Sequence, residues 1–122
     1  MILDIDKITL ELVRGDTFEL PLPINCGSRE EFIPYFLSPD DFLYIGIMKP
    51  SQPFEHAEVR AMLDCRSPKD SFGNVIFILQ SCETEKLEPG KYYISVKLQS
   101  GNRVSTLIDN KIFFVTGSSH CC

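Results

Sequence analysis

Apolar and polar residues alternate in short runs along most of the chain, the period-two pattern of strands that bury one face. In residues 8–13, Ile8, Leu10 and Leu12 share a face, and Arg14-Gly15-Asp16 closes the run as a turn. Residues 17–24 then set Phe18, Leu20, Leu22 and Ile24 against Thr17, Glu19, Pro21 and Pro23. Proline has no N–H to donate, so Pro21 and Pro23 predict an edge strand that bonds on one side only and resists strand addition on the other. Residues 25–41 form a long polar and aromatic connection punctuated by Gly27, Pro34 and Pro39, with room for one helical turn around 29–32.

Residues 42–48 are apolar on both faces, Leu43, Ile45 and Ile47 on one and Phe42, Tyr44 and Met48 on the other. That pattern predicts a central strand, or one covered by a partner. Residues 54–63 alternate again, with Ala57, Val59, Ala61 and Leu63 inward and His56, Glu58 and Arg60 outward, although an amphipathic helix would fit the same residues. Residues 74–80 and 91–99 read as strands, the second placing Tyr92, Ile94, Val96 and Leu98 on one face. Gln99-Ser100-Gly101-Asn102 is a turn into residues 104–108, and Asp109-Asn110 reads as a two-residue turn into 112–115. About eight short strands with tight turns and one long crossover predict an all-β, antiparallel sandwich over residues 1–116, followed by a short tail at 117–122. A small closed β-barrel is the alternative.

One stretch narrows the fold. Leu87-Glu88-Pro89-Gly90-Lys91-Tyr92-Tyr93 resembles the tyrosine corner of immunoglobulin-like sandwiches, where a tyrosine hydroxyl ties its strand to the preceding turn. Leu87, Pro89, Gly90 and Tyr92 carry the likeness, and the core-face pattern selects Tyr92 over Tyr93 as the donor. Residues 82–86 lack alternation and read as a short helical or irregular crossing between sheets.

The order of three segments, Leu12-Val13-Arg14-Gly15-Asp16-Thr17-Phe18, the 87–93 turn, and Val104-Ser105-Thr106-Leu107-Ile108 leading into Phe113-Phe114-Val115, resembles the small immunoglobulin-like modules of tailed-phage virion proteins. Those modules belong to baseplates, necks and head decorations. The resemblance implies an immunoglobulin-like β-sandwich of about eight strands with a structural, non-enzymatic role. It also implies partners among other virion proteins and copies of the chain itself, and a place in a virion assembled in the bacterial host cytoplasm. Relative to the longer baseplate proteins, residues 1–122 contain no stretch that reads as a receptor-binding or coiled-coil extension.

Composition bounds the chemistry. With 122 residues, 43% of them hydrophobic, the chain has material for one domain with a core. Twelve Lys and Arg against 17 Asp and Glu give a net charge of -5, which argues against a nucleic-acid or anionic-membrane partner. No apolar run approaches the ~20 residues of a membrane span. Five cysteines, an odd number with no Cys-x-x-Cys pair, read as free thiols. Only His120-Cys121-Cys122 puts histidine beside cysteine, and at a chain end it reads as an exposed tail, so neither a metal nor a cofactor is expected.

His56 and His120 are the sole histidines, and neither neighbours a nucleophile elbow or a phosphate-binding glycine loop. The acidic pairs Glu30-Glu31 and Asp40-Asp41 and the 83–88 cluster read as solvated loops. Arg14-Gly15-Asp16 spells an integrin-recognition tripeptide but serves first as a turn. Phe42, Tyr44 and Phe54, with the Pro21 and Pro23 edge, are the candidate interface: either an exposed aromatic patch or core packed under the 25–41 connection. A carbohydrate- or peptide-recognition module with contacts on loops 25–41 or 49–53 is the alternative function.

Overall fold

The computed structural model describes residues 2–3, 10–28 and 30–117. The predicted tail residues His120, Cys121 and Cys122 lie outside the described residues, as do Ile8 and Arg29. Among the described residues nine strands follow one another: β1 (Ile2–Leu3), β2 (Leu10–Val13), β3 (Phe18–Pro21), β4 (Ile24–Asn25), β5 (Asp41–Met48), β6 (Val59–Leu63), β7 (Ile76–Leu79), β8 (Gly90–Ser100) and β9 (Arg103–Thr116). A 3-10 turn at Phe54–His56 and a single helical turn, α1 (Ser81–Thr84), interrupt them. The fold is all-β. Five strands form a curled mixed sheet in the order β2-β9-β8-β5-β6, and β3-β7 and β1-β4 form two-stranded ribbons.

Alternation decides what is buried. Leu10 and Leu12 of β2, Leu43, Ile45 and Ile47 of β5, Tyr92, Ile94, Val96 and Leu98 of β8, and Phe113 and Val115 of β9 line the inner face of the five-stranded sheet and are all buried. The β3-β7 ribbon closes the same core with Leu20, Phe77 and Leu79, and Leu22 and Ile24 continue the inward row. Each such aliphatic or aromatic side chain contributes roughly 1.5–3 kcal/mol on burial. Phe18 ties ribbon to sheet, meeting Phe77 edge-on at 6.3 Å and Phe113 at 5.5 Å.

Four features differ from the pattern reading. The pairing is not antiparallel throughout: β2 runs parallel to β9, Leu10 beside Phe113 and Val13 beside Thr116. The Arg14-Gly15-Asp16 turn is therefore no hairpin. It carries the chain out of the five-stranded sheet into the β3-β7 ribbon, so β2 is free to join the far end of the sequence. Residues 17–24 are not one strand either, because the chain leaves the ladder after Pro21 and Ile24 re-pairs with Leu3 in the β1-β4 ribbon.

The Asp109-Asn110 turn is absent; both residues lie inside β9, which runs for 14 residues. Asn110 does adopt the left-handed φ of 54° that suits a turn. Its N–H, however, is bound by the Ser95 hydroxyl at 3.0 Å, so the extra residue becomes a bulge opposite β8 rather than a reversal. Finally, the strand expected from residue 54 begins only at Val59. Phe54–His56 turns as a 3-10 helix after Pro53, since Gly46 has no side chain and leaves a seat for the Phe54 ring. A Cβ on Gly46 would stand 2.7 Å from that ring.

Candidate functional site: the outer face of the five-stranded sheet

Side chains opposite one another in a ladder share a face, so the registers define the outer surface row by row. Tyr44 is flanked by Met62 on β6 and Lys97 on β8. Phe42 stands beside Gln99, and Gln99 beside Val104; Met48 stands beside Tyr93, and Tyr93 beside Ile112. Lys91 is paired with Phe114, which in turn flanks Glu11 of β2. Every residue in these rows points away from the core that Leu43, Ile45, Tyr92 and Phe113 fill.

Much of this face is apolar and open. Val104 is 63% exposed, Met62 54%, Ile112 45% and Phe114 42%. Phe42 and Tyr44 are half-buried, and Phe54, half-buried as well, folds over Gly46 from the 3-10 turn. The three predicted aromatics are therefore brought onto one face. The 25–41 connection instead sends Tyr35 and Leu37 against the core. Lysines lie across the rings, Lys97 Nζ 4.5 Å from the centre of Phe54 and Lys91 Nζ 5.3 Å from that of Tyr93, the geometry of cation–π contacts. Between Tyr44, Phe54, Arg60 and Met62 opens a cleft of about 300 Å³.

Pro21 and Pro23 are not part of this surface. Pro21 belongs to β3, opposite Ile76, and Pro23 follows the strand; β3 has β7 as its one neighbour in the ribbon, which matches the edge role read from the prolines. The residues that pattern reading missed are Met62, Val104, Ile112 and Phe114. Their signal lay in alternation with buried neighbours: Ile112 and Phe114 bracket Phe113 and precede Val115, so two large apolar residues had to face outward.

The 87–93 segment fixes how β8 enters the sheet. Tyr92, 2% exposed, donates its hydroxyl to the Glu88 carbonyl four residues upstream at 2.8 Å. Burial raises the Tyr92 pKa. Leu87 is buried, whereas Pro89 and Gly90 form the exposed bend, Gly90 with φ of 148°. Tyr93 points to the outer face.

Two polar knots hold the loops. Asp41, fully buried at the start of β5, accepts at Oδ2 from the Tyr35 hydroxyl at 2.5 Å and the Ser38 N–H at 2.9 Å. Burial alone would raise the Asp41 pKa, but hydrogen bonding by Ser100, its cross-strand partner, and by Tyr35 and Ser38 outweighs it and holds the carboxyl below its usual value. The bond to Asp41 and burial push the Tyr35 hydroxyl up to about 12.

Thr84 of α1 makes the second knot. It donates to the Asp16 carbonyl at 2.8 Å and accepts from the Gly15 N–H at 3.0 Å, while Arg14 reaches the Glu85 carbonyl at 2.8 Å. The Arg-Gly-Asp turn is thus clamped against α1 through its arginine and backbone, with Gly15 at φ of 86°. His56 is exposed on the 3-10 turn. Among the described residues no helix is long and apolar enough to cross a membrane. Comparison with known proteins finds no matching family model and no matching curated sequence.

Proposed function

We propose that this chain is a non-catalytic structural module of a tailed-phage virion, an immunoglobulin-like sandwich that works by contacts with neighbouring virion proteins and with copies of itself. The observation that carries the reading is the outer face of the five-stranded sheet. Four large apolar side chains, Met62, Val104, Ile112 and Phe114, stand exposed there beside Tyr44 and Phe42, on paired strands rather than on loops. Aromatic and methionine side chains on a rigid, pre-formed surface are what protein interfaces use for anchorage. The immunoglobulin-like assignment is supported by the ribbon and sheet closing one core and by the hydroxyl of Tyr92 reaching back to Glu88.

The alternative, a carbohydrate- or peptide-binding module, has two clefts in its favour, the first beside Tyr44 and Phe54, whose flat rings adjoin Arg60. Loop 49–53 also borders a cleft, of about 390 Å³, with Met48, Tyr93 and Asn110. Density-gradient fractionation of lysates from cells that encode the chain separates the readings. The structural role predicts that the chain sediments with tailed particles. A chain found wholly in the soluble fraction, with particles present, overturns it and favours a free recognition module.

A further inference from the structure

Resting on the reading that copies of the chain contact one another, we infer that β6 is a self-complementary edge, and that two copies join through it about a two-fold axis centred on Met62. Among the described residues strand β6 has one sheet neighbour, β5, and ends the order β2-β9-β8-β5-β6. Unlike β3, whose edge is blocked by Pro21 and followed by Pro23, β6 contains no proline, and its residues Val59–Leu63 keep an unbroken register with β5. Beside Val59 and Arg60 the edge opens on a cleft of about 410 Å³ reaching Glu83, Lys86 and Leu87. An unguarded strand edge is a ready template for a further strand.

The side chains select the occupant and its register. Arg60 and Met62 form the outward row of β6, and Asp64 follows one residue past the end of the strand at the same spacing, so that positive charge, exposed apolar side chain and negative charge come in turn. Run antiparallel against itself about Met62, this row sets each Arg60 opposite the other copy's Asp64 and Met62 upon Met62. On the inner face Ala61 meets Leu63. A shift to an axis on Arg60 would oppose two arginines, and an axis on Ala61 would leave Arg60 against Met62. Opposed charges favour a cross-strand pair and like charges disfavour it, so the charge pattern specifies one register. Within one copy Arg60 donates one N–H to the Glu55 carbonyl, and Asp64 Oδ1 accepts from the Arg66 N–H. The product is a continuous ten-stranded sheet that extends the apolar outer face across both copies.

The test is absolute mass by light scattering after size exclusion, with reductant, on wild type, Arg60→Asp and Asp64→Arg, each checked by its melting curve for a folded core. Wild type is expected to reach twice the mass of one chain as concentration rises. Each single variant opposes like charges at two symmetric positions and is expected to weaken association by about ten-fold. An equimolar mixture of the two variants restores complementarity and is expected to recover the dimer. A wild type that stays monomeric, single variants that associate like wild type, or a mixture that fails to recover, each overturns the pairing. If association survives Arg60→Asp yet is lost in Ile112→Glu, Phe114→Glu, the β6 pairing falls while the outer-face reading stands.

Discussion

Thr84→Val tests how the Arg14-Gly15-Asp16 turn is held against the body. Thr84 is fully buried, and its one hydroxyl joins α1 to the Arg-Gly-Asp turn by donating to Asp16 and accepting from Gly15, residues 68 and 69 positions away. Valine keeps the β-branched shape, so no cavity opens and the change isolates the hydroxyl. Two hydrogen bonds at about 1 kcal/mol each set the cost at about 2 kcal/mol. Gly15 and Asp16 are exposed, so water can replace part of the loss, which places 2 kcal/mol toward the upper end. With about 2.1 cal/mol/K of unfolding entropy per residue, 122 residues give about 0.26 kcal/mol/K, so Tm should fall by about 8 °C. Differential scanning calorimetry reads it, with the exposed Cys82→Ser on the same helix as the unaffected control. A Thr84→Val melting point within about 2 °C of wild type would refute the clamp.

Three further outcomes follow from the same geometry. Tyr92→Phe removes the bond to Glu88 and should cost about 1 kcal/mol, whereas Tyr93→Phe on the outer face should change the denaturant midpoint little. Ser51 holds φ of 68° in the turn closed by Gln52 N–H on Lys49, so Ser51→Gly should stabilise by roughly 0.5 kcal/mol, measurable by urea unfolding. The Asp41 pKa is lower folded than unfolded, so its contribution is complete above pH 3.8 and is lost as pH falls through the folded value. Tyr35 is raised from 10.0 to about 12, so its contribution holds below pH 10 and is lost as pH rises toward 12. Tyr35→Phe should therefore flatten both limbs of a stability-versus-pH profile, and an unchanged profile would count against the pair.

Alternation made the core legible because burial in a strand depends on the residue's own parity. Leu43, Ile45 and Ile47, and Tyr92, Ile94, Val96 and Leu98, are buried as their spacing says. What pattern does not carry is the partner. The parallel ladder of β2 on β9 joins residues about a hundred positions apart, and nothing local in Leu10–Val13 distinguishes it from an antiparallel edge. Asn110 misled for a related reason: Asp-Asn reads as a turn, and only the hydroxyl of Ser95, 15 residues earlier, makes it a bulge. The aromatics Phe42, Tyr44 and Phe54 were legible as a group, but the contribution of Val104, Ile112 and Phe114 to the same face depends on how β9 is registered against β8.

On the proposed function, the outer face of the five-stranded sheet is the surface through which the chain enters a particle. Ile112→Glu, Phe114→Glu charges that face at two exposed positions without touching the core. Quantifying the chain in gradient-purified particles, wild type against this variant at equal cellular level and equal melting point, tests it directly. Wild type is expected to be incorporated and the variant excluded. Equal incorporation of a folded variant would contradict it.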